Sequence, residues 1–595
     1  MTFGYLAAVA FRTGGRLEEL GGSDATNTLL LAATIGGVQV FGNVVFDVYW
    51  RDWGVAALED IVAVAKATLL GFATLIVFNL VTNTRYVPTG AAIAGMSFVF
   101  VAEVAIRLRP RWPQIIRAAL GRNSQGERLI VVGAGSVGRL LASDIAYARR
   151  DQRIVSFVDD DPAKQGSYIR SIRVDGDVDD LPGLIEQHSP SLVVIAVAQP
   201  NGPLIHRVLA ACEGTEVRVR RVSGFSLGRT DTSALREIAI EELLARDPVE
   251  LDTPEARDYL RGRTILVTGA AGSIGSELCR QLARFEPARL LMLDNNESGL
   301  HAVGTRLPGA ELLLQDIRDR PGLWHTINRS RPDVVFHAAA YKHVPILERS
   351  PQAGISANVI GTANLLACCA AMNVQNLVFI STDKAVEPSS VLGYTKRFGE
   401  LLTLATARAA NLHYAVVRFG NVLGSSGSAV PVFSDQIDRG GPITVTDPEA
   451  TRYFMTIREA AGLVIEAGAV AEPADLMVLD MGAPVSILDL AQRMVRLRGL
   501  RVPTDIGIEF IGLRPGEKLH EQLFFPFERS EPTRHSRVLR VRSDDTDIPL
   551  AALQETLDRI ARFMTEQDVD SALSAVRNAI DDPQVASNLT KTDGI

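Results

Sequence analysis

Cysteine is scarce in this chain. Its 595 residues include four cysteines, and none of them belongs to a CxxC pair. They are Cys212, Cys279, Cys368 and Cys369. This pattern argues against a disulfide scaffold and against a zinc site, and it fits a reducing compartment. We therefore expect four buried thiols that pack as small apolar side chains, and no metal centre.

An excess of positive charge is also missing. The chain has 61 Lys and Arg residues against 69 Asp and Glu, and its formal net charge is -8. A general nucleic-acid binder needs a basic surface, so we expect no nucleic-acid partner. No basic segment precedes the short apolar stretch at residues 3–11, which argues against a signal peptide. We interpret this stretch as a candidate for the end of a truncated fourth helix.

Long apolar runs, in contrast, are present near the N-terminus. Residues 25–46, 67–84 and 86–102 contain no charged side chain, and each run is close to the ~20 residues that cross a bilayer. Residues 1–110 are therefore predicted to be a transmembrane helical anchor with three full spans in a lipid bilayer. The alternative is a set of buried helices in a soluble domain.

Basic residues predict the orientation of this anchor. Five arginines follow the last apolar run, whereas Arg85 alone lies in the turn before it. The five are Arg107, Arg109, Arg111, Arg117 and Arg122. The positive-inside rule places everything after residue 107 in the cytoplasm, so we expect a multi-pass protein of the bacterial inner (plasma) membrane.

A first α/β domain is predicted at residues 125–245. The apolar strand RLIVV leads into Gly133, Gly135 and Gly138 and then into a helix, and a second strand ends at Asp159. This order of strand, glycine loop and helix is typical of a Rossmann-like nucleotide site. The alternative is a spacer domain whose glycines only permit close packing of helix on strand.

A second glycine pattern begins a larger α/β domain at residues 263–545, after a polar linker at residues 246–262. The predicted turn and helix start, in RTILVTGAAGSIGSEL, comprise Gly269, Gly272, Ser273, Ile274 and Gly275. Backbone N–H groups and a helix N-terminus in such a turn bind a pyrophosphate. Asp294 ends the next strand, where a carboxylate accepts from a ribose 2′-OH and repels a 2′-phosphate. We therefore expect NAD rather than NADP as the cofactor.

The next two strands also end in predicted cofactor contacts. ELLLQDIRD brings Asp316 and Ile317 to the expected adenine edge. DVVFHAAAYKH ends in Ala338, Ala339 and Ala340, whose small side chains let the backbone approach the cofactor.

The segment from Ser381 to Lys396, STDKAVEPSSVLGYTK, is the predicted catalytic strip. It follows the apolar strand LVFI and places Thr382, Asp383 and Lys384 together at the end of that strand. Parallel strands deliver such residues to a cleft, and an acid beside an amine suits proton transfer. The alternative is a solvated turn with an incidental charge pair.

Six motifs carry a resemblance to a known family. TGAAGSIGSEL, AAAYKHVP, STDKAVEPSSVLGYTKR, VRFGNVLGSSGSAVPVF, TRYFMTIREA and LRPGEKLHE occur in this order. With them the chain resembles the extended short-chain dehydrogenase/reductase superfamily and, within it, the membrane-anchored CapD-like polysaccharide-biosynthesis proteins. The resemblance covers nearly the whole chain. It implies N-terminal transmembrane α-helices followed by two Rossmann-like α/β domains with doubly wound parallel sheets. We also expect a homo-oligomer.

The implied activity is a UDP-N-acetylglucosamine 4,6-dehydratase with bound NAD, which forms the 4-keto-6-deoxy sugar for a surface glycan. By resemblance, Asp383 protonates the leaving C6 hydroxyl and Lys384 removes the C5 proton. Lys384 must then be partly neutral, and burial and the charge of Lys396 are expected to lower its pKa, against the influence of Asp383. Thr382 is expected to bind the C4 hydroxyl, and Lys396 the nicotinamide ribose.

One position departs from the Tyr-x-x-x-Lys pair that is usual in the superfamily. Leu392 stands four residues before Lys396. The nearest tyrosine, Tyr394, is two residues before the lysine and so faces another side of a helix. Water, Asp383 and Tyr394 are all left as candidates for the base at the C4 hydroxyl, although we favour a packing role for Tyr394.

The resemblance also implies substrate-binding residues. They are Lys342, His343, Asn358, Arg418, Asn421, Arg452, Arg514 and Glu517. Arg452 and Arg514 are expected to bind phosphate, because a planar guanidinium fits its oxygens. Asn358 is expected to orient the catalytic segment, and Glu517 to orient Arg514 or meet the uridine ribose.

Two other functions compete with the dehydratase. A UDP-sugar 4-epimerase would keep the tyrosine that Leu392 replaces and would not need the Asp383–Lys384 pair. A nucleotide-binding regulatory membrane protein would need no acid–base segment at all. We expect residues 546–595 to add C-terminal helices from 550 to 580 and a disordered tail.

Overall fold

The computed structural model describes residues 22–50, 58–81, 89–109, 126–147, 152–198, 200–212, 215, 217–222, 235–237, 253–425, 427–542 and 548–581. The chain divides into two compact units, Met1–Gly126 and Glu127–Ile595. Four sets of predictions lie outside the described residues. They concern residues 3–11, the arginines at 111, 117 and 122, linker residues 246–252 and the tail beyond 581.

The first unit contains helices α1 (Gly22–Val45), α2 (Leu58–Val81) and α3 (Thr89–Arg107). Polar side chains from all three meet within this unit. Gln39 and Asn43 donate to the Glu103 carboxylate at 3.2 and 3.1 Å. Gln39 also donates to Thr68 of α2 at 3.4 Å. One carboxylate of α3 is therefore tied to α1, and α1 is tied to α2.

Two segments of the described chain are long and apolar enough to cross a membrane. One is Asp60–Val77, inside α2, and the other is Pro351–Ala371, most of which is buried in the second unit. Only the α2 segment overlaps a predicted span, that of residues 67–84. The multi-pass anchor and its orientation therefore remain predictions.

The first α/β domain forms a seven-stranded sheet in the described residues. Its elements are β1 (Glu127–Val132), α4 (Ser136–Tyr147), β2 (Gln152–Val158), β3 (Tyr168–Ile169), β4 (Ile172–Gly176), α5 (Leu181–His188), β5 (Leu192–Ile195), α6 (Gly202–Ala211), β6 (Arg218–Val222) and β7 (Leu235–Glu237). The strand order is β3-β4-β2-β1-β5-β6-β7, and the inner strands β4 to β6 are parallel. The order reverses between β1 and β5, as in a doubly wound sheet.

The second α/β domain begins with a short helix and a Rossmann-like half. These elements are α7 (Pro254–Leu260), β8 (Thr264–Thr268), α8 (Ser273–Leu282), β9 (Arg289–Asp294), α9 (Glu297–Gly304), β10 (Glu311–Leu314), α10 (Arg320–Ser330), β11 (Val334–His337), α11 (Val344–Arg349), α12 (Pro351–Gly354), a π-helical turn (Ile355–Gly361) and α13 (Thr362–Ala371). The short helix α7 occupies the end of the predicted linker.

The domain continues with the strand and helix that hold the catalytic strip. These elements are β12 (Asn376–Ile380), a 3₁₀ turn (Asp383–Ala385), α14 (Val391–Ala410), β13 (His413–Arg418), β14 (Asn421–Leu423), α15 (Ala429–Asp438), β15 (Ile443–Val445), β16 (Thr451–Arg452), β17 (Phe454–Thr456), α16 (Ile457–Val470), β18 (Asp475–Leu479), β19 (Val485–Ser486), α17 (Ile487–Leu497), β20 (Ile508–Phe510), β21 (Arg529–Pro532), β22 (Val538–Arg542), α18 (Leu550–Thr565) and α19 (Val569–Asp581).

The main sheet of this domain has the order β10-β9-β8-β11-β12-β13-β18-β22-β21. Strands β10 to β18 are parallel, and β22 and β21 add an antiparallel edge. The order reverses between β8 and β11, which opens a cleft at the carboxyl ends of these strands. The prediction of two Rossmann-like domains with parallel sheets is confirmed.

Helices cover both faces of this sheet. Leu266 of β8 packs into the hydrophobic core on one face, whereas its neighbours Ile265 and Val267 pack into the core on the other. This alternation explains why the strands are apolar almost throughout, as parallel strands covered on both faces usually are. The predicted C-terminal helices form α18 and α19, which pack on the core that contains α14. The four cysteines are buried, as predicted.

Candidate functional site

A glycine turn after β8 forms the predicted cofactor cradle. Gly269 has a φ of +68°, and a Cβ there would lie 2.6 Å from the backbone nitrogen of Ala339. A Cβ at Gly275 would collide with the carbonyl oxygen of Gly269. Both positions therefore need glycine, which lets α8 begin directly against the turn. A cleft of about 300 Å³ opens here, and Gly269, Gly272, Asp294, Asp316, Ile317, Ala338, Ala339 and Ala340 line it.

The Asp294 carboxylate is held in place at the end of β9. Its Oδ2 accepts from the backbone N–H of Ala271 and its Oδ1 from that of Asn296, each at 2.9 Å. Arg280 of α8 is a nearby cation in sequence that could favour the 2′-phosphate of NADP. Its guanidinium pairs with Glu277, so it is already neutralised. This arrangement suits a ribose hydroxyl and opposes a phosphate at the same place.

Asp316 also lines the cleft, after the neighbouring strand β10. Asn295 donates to it at 3.0 Å, and Arg318 forms an ion pair with it. The hydrogen bond from Arg318 is the main reason that the pKa of Asp316 lies below its usual range. Asp316 is therefore a fixed anion at the edge where an adenine amino group was expected.

The acid–base pair lies in the 3₁₀ turn that follows β12. Thr382 caps this turn, and its Oγ1 donates to Asp383 Oδ1 at 2.9 Å. Lys384 Nζ donates to the same oxygen at 3.0 Å and to Asn421 Oδ1 at 3.1 Å. Asp383 is fully buried, whereas the Lys384 side chain is 21% exposed. The strip predicted from sequence is thus assembled, with Asn421 beside it.

The predicted lowering of the Lys384 pKa is wrong. Burial pushes this pKa down, but the charges of Asp383 and Glu521 push it up by more, so it lies above its usual value. The carboxylates are close to the amine, Glu521 Oε1 lying 3.4 Å from Nζ. The charges of these two carboxylates therefore keep Lys384 as an ammonium ion in the ligand-free protein.

Lys396 lies on α14 and behaves differently. Burial lowers its pKa to about 7, against the opposing charge of Glu400, and its Nζ sits 3.9 Å from the centre of the Phe379 ring. Buried His337 lies near the same lysine, and its pKa falls to about 3 through burial and then the charge of Lys396. His337 is therefore a neutral imidazole that contacts Thr268 and Thr362.

Asn358 positions this helix rather than facing a substrate. It is 1% exposed, and its side chain exchanges hydrogen bonds with the backbone of Tyr341 at 2.9 and 3.0 Å. Its amide also donates to Thr395, the neighbour of Lys396, at 3.1 Å. The prediction that Asn358 orients the catalytic segment agrees with these contacts, but the substrate-binding assignment does not.

The position of the usual tyrosine is occupied by Leu392, which has a packing role. Leu392 is buried in a small apolar cluster with Val344 and Leu347 of α11. Tyr394 turns to α19 instead, where Arg577 lies 5.2 Å from its ring centre. Tyr394 therefore has the packing role that we favoured, and it is removed from the candidates for the C4 base.

Arg418 does not bind substrate, which corrects its assignment. It is fully buried and ion-paired on two sides, with Glu400 at 2.7 Å and with Glu528 at 2.8 Å. Glu400 also accepts from Ser381 Oγ at 2.6 Å and from Arg397 at 2.9 Å. This buried charge network fixes Ser381, the residue directly before the acid–base turn.

The other predicted substrate residues lie around the turn. Both Nη atoms of Arg452 donate to backbone carbonyls of residues 451, 518 and 519, so in the ligand-free protein this side chain holds the chain rather than a phosphate. Arg514 is exposed, and Glu517 Oε2 accepts from its backbone N–H at 3.3 Å. Glu517 therefore shapes the turn that presents the Arg514 guanidinium.

Lys342 and His343 follow the alanine strand end. Desolvation in the cleft lowers the pKa of both, and the charge of Lys342 lowers that of His343 further. His343 begins α11 and lies against Gly427, where a Cβ would approach its ring to 2.6 Å. Tyr341, the residue before this pair, lines the cleft, and contact of the pair with substrate remains a prediction.

The first α/β domain repeats the geometry of the second at its own glycine turn. Asp159 Oδ2 accepts from Ala134 N–H at 2.7 Å, as Asp294 does from Ala271. A Cβ at Gly138 would collide with Gly133 O, whereas one at Gly135 would meet open space. Lys164 donates to Asp159 at 3.2 Å, so a cation already covers this carboxylate. A second nucleotide site here remains a prediction.

Comparison with known proteins identifies the family. A family model described as "Polysaccharide biosynthesis protein" matches residues 265–543. Over 496 residues the chain is 37% identical to "Capsular polysaccharide biosynthesis protein CapD" of Staphylococcus aureus, which covers 80% of this chain and 82% of that protein. This chain belongs to the CapD-like polysaccharide-biosynthesis family. The resemblance inferred from its motifs is confirmed.

Two further proteins are similar to this family member. "Probable polysaccharide biosynthesis protein EpsC" of Bacillus subtilis (strain 168) is 35% identical over 490 residues, covering 80% of this chain and 81% of that protein. Among solved structures, the X-ray structure of Pen from Bacillus thuringiensis is 29% identical and covers 48% of this chain and 88% of that one, with a TM-score of 0.45.

Four functional side chains were not identified from the sequence of this family member. They are Glu521, Glu400, Glu528 and His337. Glu521 ends the motif LRPGEKLHE, and its place in a motif that carries the family resemblance was the one signal that could have identified it. Glu400 lies in a helix, His337 in a strand and Glu528 in a loop, and the local pattern gives no sign that these side chains turn inward.

Proposed function

We propose that this protein dehydrates a UDP-N-acetylhexosamine, first of all UDP-N-acetylglucosamine, to its 4-keto-6-deoxy form with NAD as a cofactor regenerated in each turnover. The observation that carries the proposal is the 3.0 Å contact between Lys384 Nζ and Asp383 Oδ1. Dehydration takes a proton from C5 and delivers one to the hydroxyl on C6, so it needs an acid and a base on neighbouring atoms. This pair meets that need at a strand end beside the cofactor cleft.

The glycine turn and the Asp294 carboxylate fit NAD. When bound, NAD supplies the oxidation of C4 by taking up a hydride, which it later returns to C6. The chain's own residues bind and orient the sugar around that chemistry. Thr382 would bind the C4 hydroxyl, since its Oγ1 lies beside the catalytic pair, and Lys396 would hold the ribose next to the nicotinamide.

The proton of the C4 hydroxyl needs an acceptor other than tyrosine. Leu392 has no proton-accepting group, and Tyr394 is turned to α19. Thr382 Oγ1 lies 2.9 Å from Asp383 Oδ1, which offers a path from the C4 hydroxyl to a carboxylate. An epimerase would depend on the missing tyrosine at this step, so Leu392 also favours the dehydratase over that alternative.

The nucleotide half of the substrate would be bound outside the catalytic turn. Arg514 presents an exposed guanidinium in a turn shaped by Glu517. Such a fork fits the diphosphate oxygens. We further propose that the protein is held at the bacterial inner membrane through its N-terminal helices, which the apolar segment Asp60–Val77 supports.

The test is incubation of the purified, detergent-solubilised protein with UDP-N-acetylglucosamine, followed by mass spectrometry. Loss of one water is the expected product. A product of unchanged mass with inverted C4 would contradict the proposal and favour an epimerase. Lys384→Ala is expected to abolish water loss while the protein keeps its NAD, measured by release of the nucleotide on denaturation. Retained water loss in this variant would remove Lys384 from the mechanism.

A further inference from the structure

The catalytic lysine carries a proton that its role as a base does not allow. Lys384 must be neutral to remove the C5 proton. Burial lowers its pKa, but the charges of Asp383 and Glu521 raise it by more, to above the usual value. Nζ donates to Asp383 Oδ1 at 3.0 Å and to Asn421 Oδ1 at 3.1 Å, and Glu521 Oε1 lies 3.4 Å away. These three oxygens match the three N–H donors of an ammonium ion. A base at this position therefore needs a group that takes up its proton before C5 is attacked.

Glu521 is placed to take that proton. Its side chain is 3% exposed, and a shift of a few tenths of an ångström would bring its Oε1 within hydrogen-bond distance of Lys384 Nζ. Its Oε2 is buried and accepts no hydrogen bond from any residue that the structure describes. Arg452 is the next cation, with its Nε 4.0 Å from Oε1, but both of its Nη atoms donate to backbone carbonyls. Among the described residues, Asp383, Glu521 and Arg452 are the charged groups that act on Lys384.

Building on the dehydratase proposed above, we infer that Glu521 is a positioning residue that accepts the proton of Lys384 once Asp383 has been protonated, and so makes this lysine the base of the dehydration. Lys384 then removes the C5 proton and Asp383 is the acid at C6, as the family resemblance implies. The trigger is a loss of charge. As a carboxylate, Asp383 stabilises the ammonium ion that it contacts. When Asp383 becomes a carboxylic acid, that stabilisation is lost, and burial favours a neutral amine.

The proton balance closes over one turnover. When C4 is oxidised, the proton of its hydroxyl passes through Thr382 Oγ1 to Asp383, whose Oδ1 is 2.9 Å away. The Lys384 ammonium then gives one proton to Glu521. Neutral Lys384 takes the C5 proton, and the C5–H electron pair forms the C5–C6 double bond. The C6–O bond breaks as Asp383 protonates the leaving hydroxyl to water. When the hydride taken from C4 returns to C6, Lys384 gives its proton to C5 and recovers the other from Glu521. All three side chains then have their starting charges.

The experiment is the pH dependence of kcat for Glu521→Gln, which keeps the size of the side chain but cannot accept the proton. In the wild type the proton moves within the cluster, so kcat should be nearly constant between about pH 6.5 and 9. In Glu521→Gln the proton of Lys384 must leave to solvent. Its kcat at about pH 7 should therefore fall about 30-fold or more, and it should rise about ten-fold per pH unit toward the pKa of the lysine. Glu521→Asp, which keeps a carboxylate, should retain a flat profile at a lower kcat.

A second readout shows the step at which the variant stops. Oxidation at C4 does not need Lys384 as a base, so a single turnover of Glu521→Gln at neutral pH should build up the absorbance of reduced nicotinamide. That signal also shows that the variant is folded and holds both cofactor and substrate. Glu555→Gln is the matched control, because it removes one exposed carboxylate on α18, and it should behave like the wild type.

Two outcomes would overturn the inference. If Glu521 only keeps Lys384 charged, Glu521→Gln will be faster than the wild type at neutral pH, because more of the amine is neutral. If Glu521 is only structural, kcat will fall by the same factor at every pH and no reduced nicotinamide will build up. Should Glu521→Gln lose its NAD, the profile of Glu521→Asp decides, since a flat one supports the inference and a rising one contradicts it. A wild-type protein that releases no water from any UDP-N-acetylhexosamine would instead refute the proposed function, which the other outcomes leave standing.

Discussion

Replacing Glu400 by glutamine should lower the free energy of unfolding more than the removal of any exposed charge in this protein. Glu400 is fully buried and accepts from Arg418, Arg397 and Ser381. Burial raises its pKa, but the charge of Arg418 and its other donors lower it further, to about 2 against an ordinary 4.5. At about 1.4 kcal/mol per unit, this shift corresponds to about 3 kcal/mol of stability.

The pH dependence has a definite sign. Because the folded-state pKa of Glu400 is depressed, its contribution is complete above about pH 4.5 and is lost as the pH falls toward 2. Glu400→Gln should therefore be about 3 kcal/mol less stable than the wild type at pH 7, within the range for breaking a buried ion pair. The two proteins should converge as the pH falls below 4.

Native-state hydrogen exchange of peptides from α14 in graded urea measures this cost locally, which avoids assuming that the whole chain unfolds in one step. Glu311→Gln is the control, because Glu311 pairs with Arg289 on the surface and exposed pairs are worth at most about 1 kcal/mol. The reasoning would be refuted if both variants lost the same free energy of unfolding. It would also be refuted if the loss in Glu400→Gln did not become smaller at low pH.

Three more predictions concern single side chains. Burial keeps the folded-state pKa of Lys396 near 7, so a charged Lys396 destabilises the fold below that pH. Lys396→Met should therefore stabilise the cofactor-free protein by up to about 5 kcal/mol below pH 7 in the same hydrogen-exchange measurement. This gain should vanish as the pH approaches 10.5. Tyr394→Phe should keep kcat within about two-fold of the wild type, because the change removes one hydroxyl and keeps the ring that contacts Arg577. A large loss in the water-release assay would return Tyr394 to the chemistry. Asp294→Ala should reduce the preference for NAD over NADP at least on the order of ten-fold, since a like-charge contact is removed, which titration calorimetry with both nucleotides measures.

Local sequence patterns were enough for the parts of the site that come from one stretch of chain. The glycine turn at Gly269 and the acid–base turn at Asp383 each follow an apolar strand, and the doubly wound topology brings both to one edge of the sheet. The charge state of Lys384 was not predictable in the same way. It depends on Glu521, which is far away in sequence and reaches the lysine only in the folded chain.

Arg418 illustrates the opposite error. An arginine at the end of a parallel strand next to the catalytic strand is a reasonable candidate for a substrate ligand. Its real partners, Glu400 and Glu528, come from a helix and from a C-terminal loop, and neither position shows in the sequence that it points inward. The family resemblance located Arg418 at a strand end near the site, but it could not predict the contacts that determine the role of its side chain.

One C-terminal segment, residues 514–528, connects the expected nucleotide site to the acid–base turn. Arg514 at its start faces outward, whereas Lys518 donates to the carbonyl of Val386, directly after the turn, at 2.9 Å. Further along, Glu521 faces Lys384. Glu528, at the end of the segment, reaches the network that holds Ser381, so the turn is held from both of its ends. If a diphosphate draws Arg514 inward, the same stretch of chain must respond at Glu521. Binding of the nucleotide and the protonation of Lys384 would then be coupled. Acetic anhydride modifies neutral amines, so acetylation of Lys384, followed by peptide mass spectrometry across pH, measures this coupling. UDP alone should shift the pH profile of the acetylation in the wild type but not in Glu521→Gln.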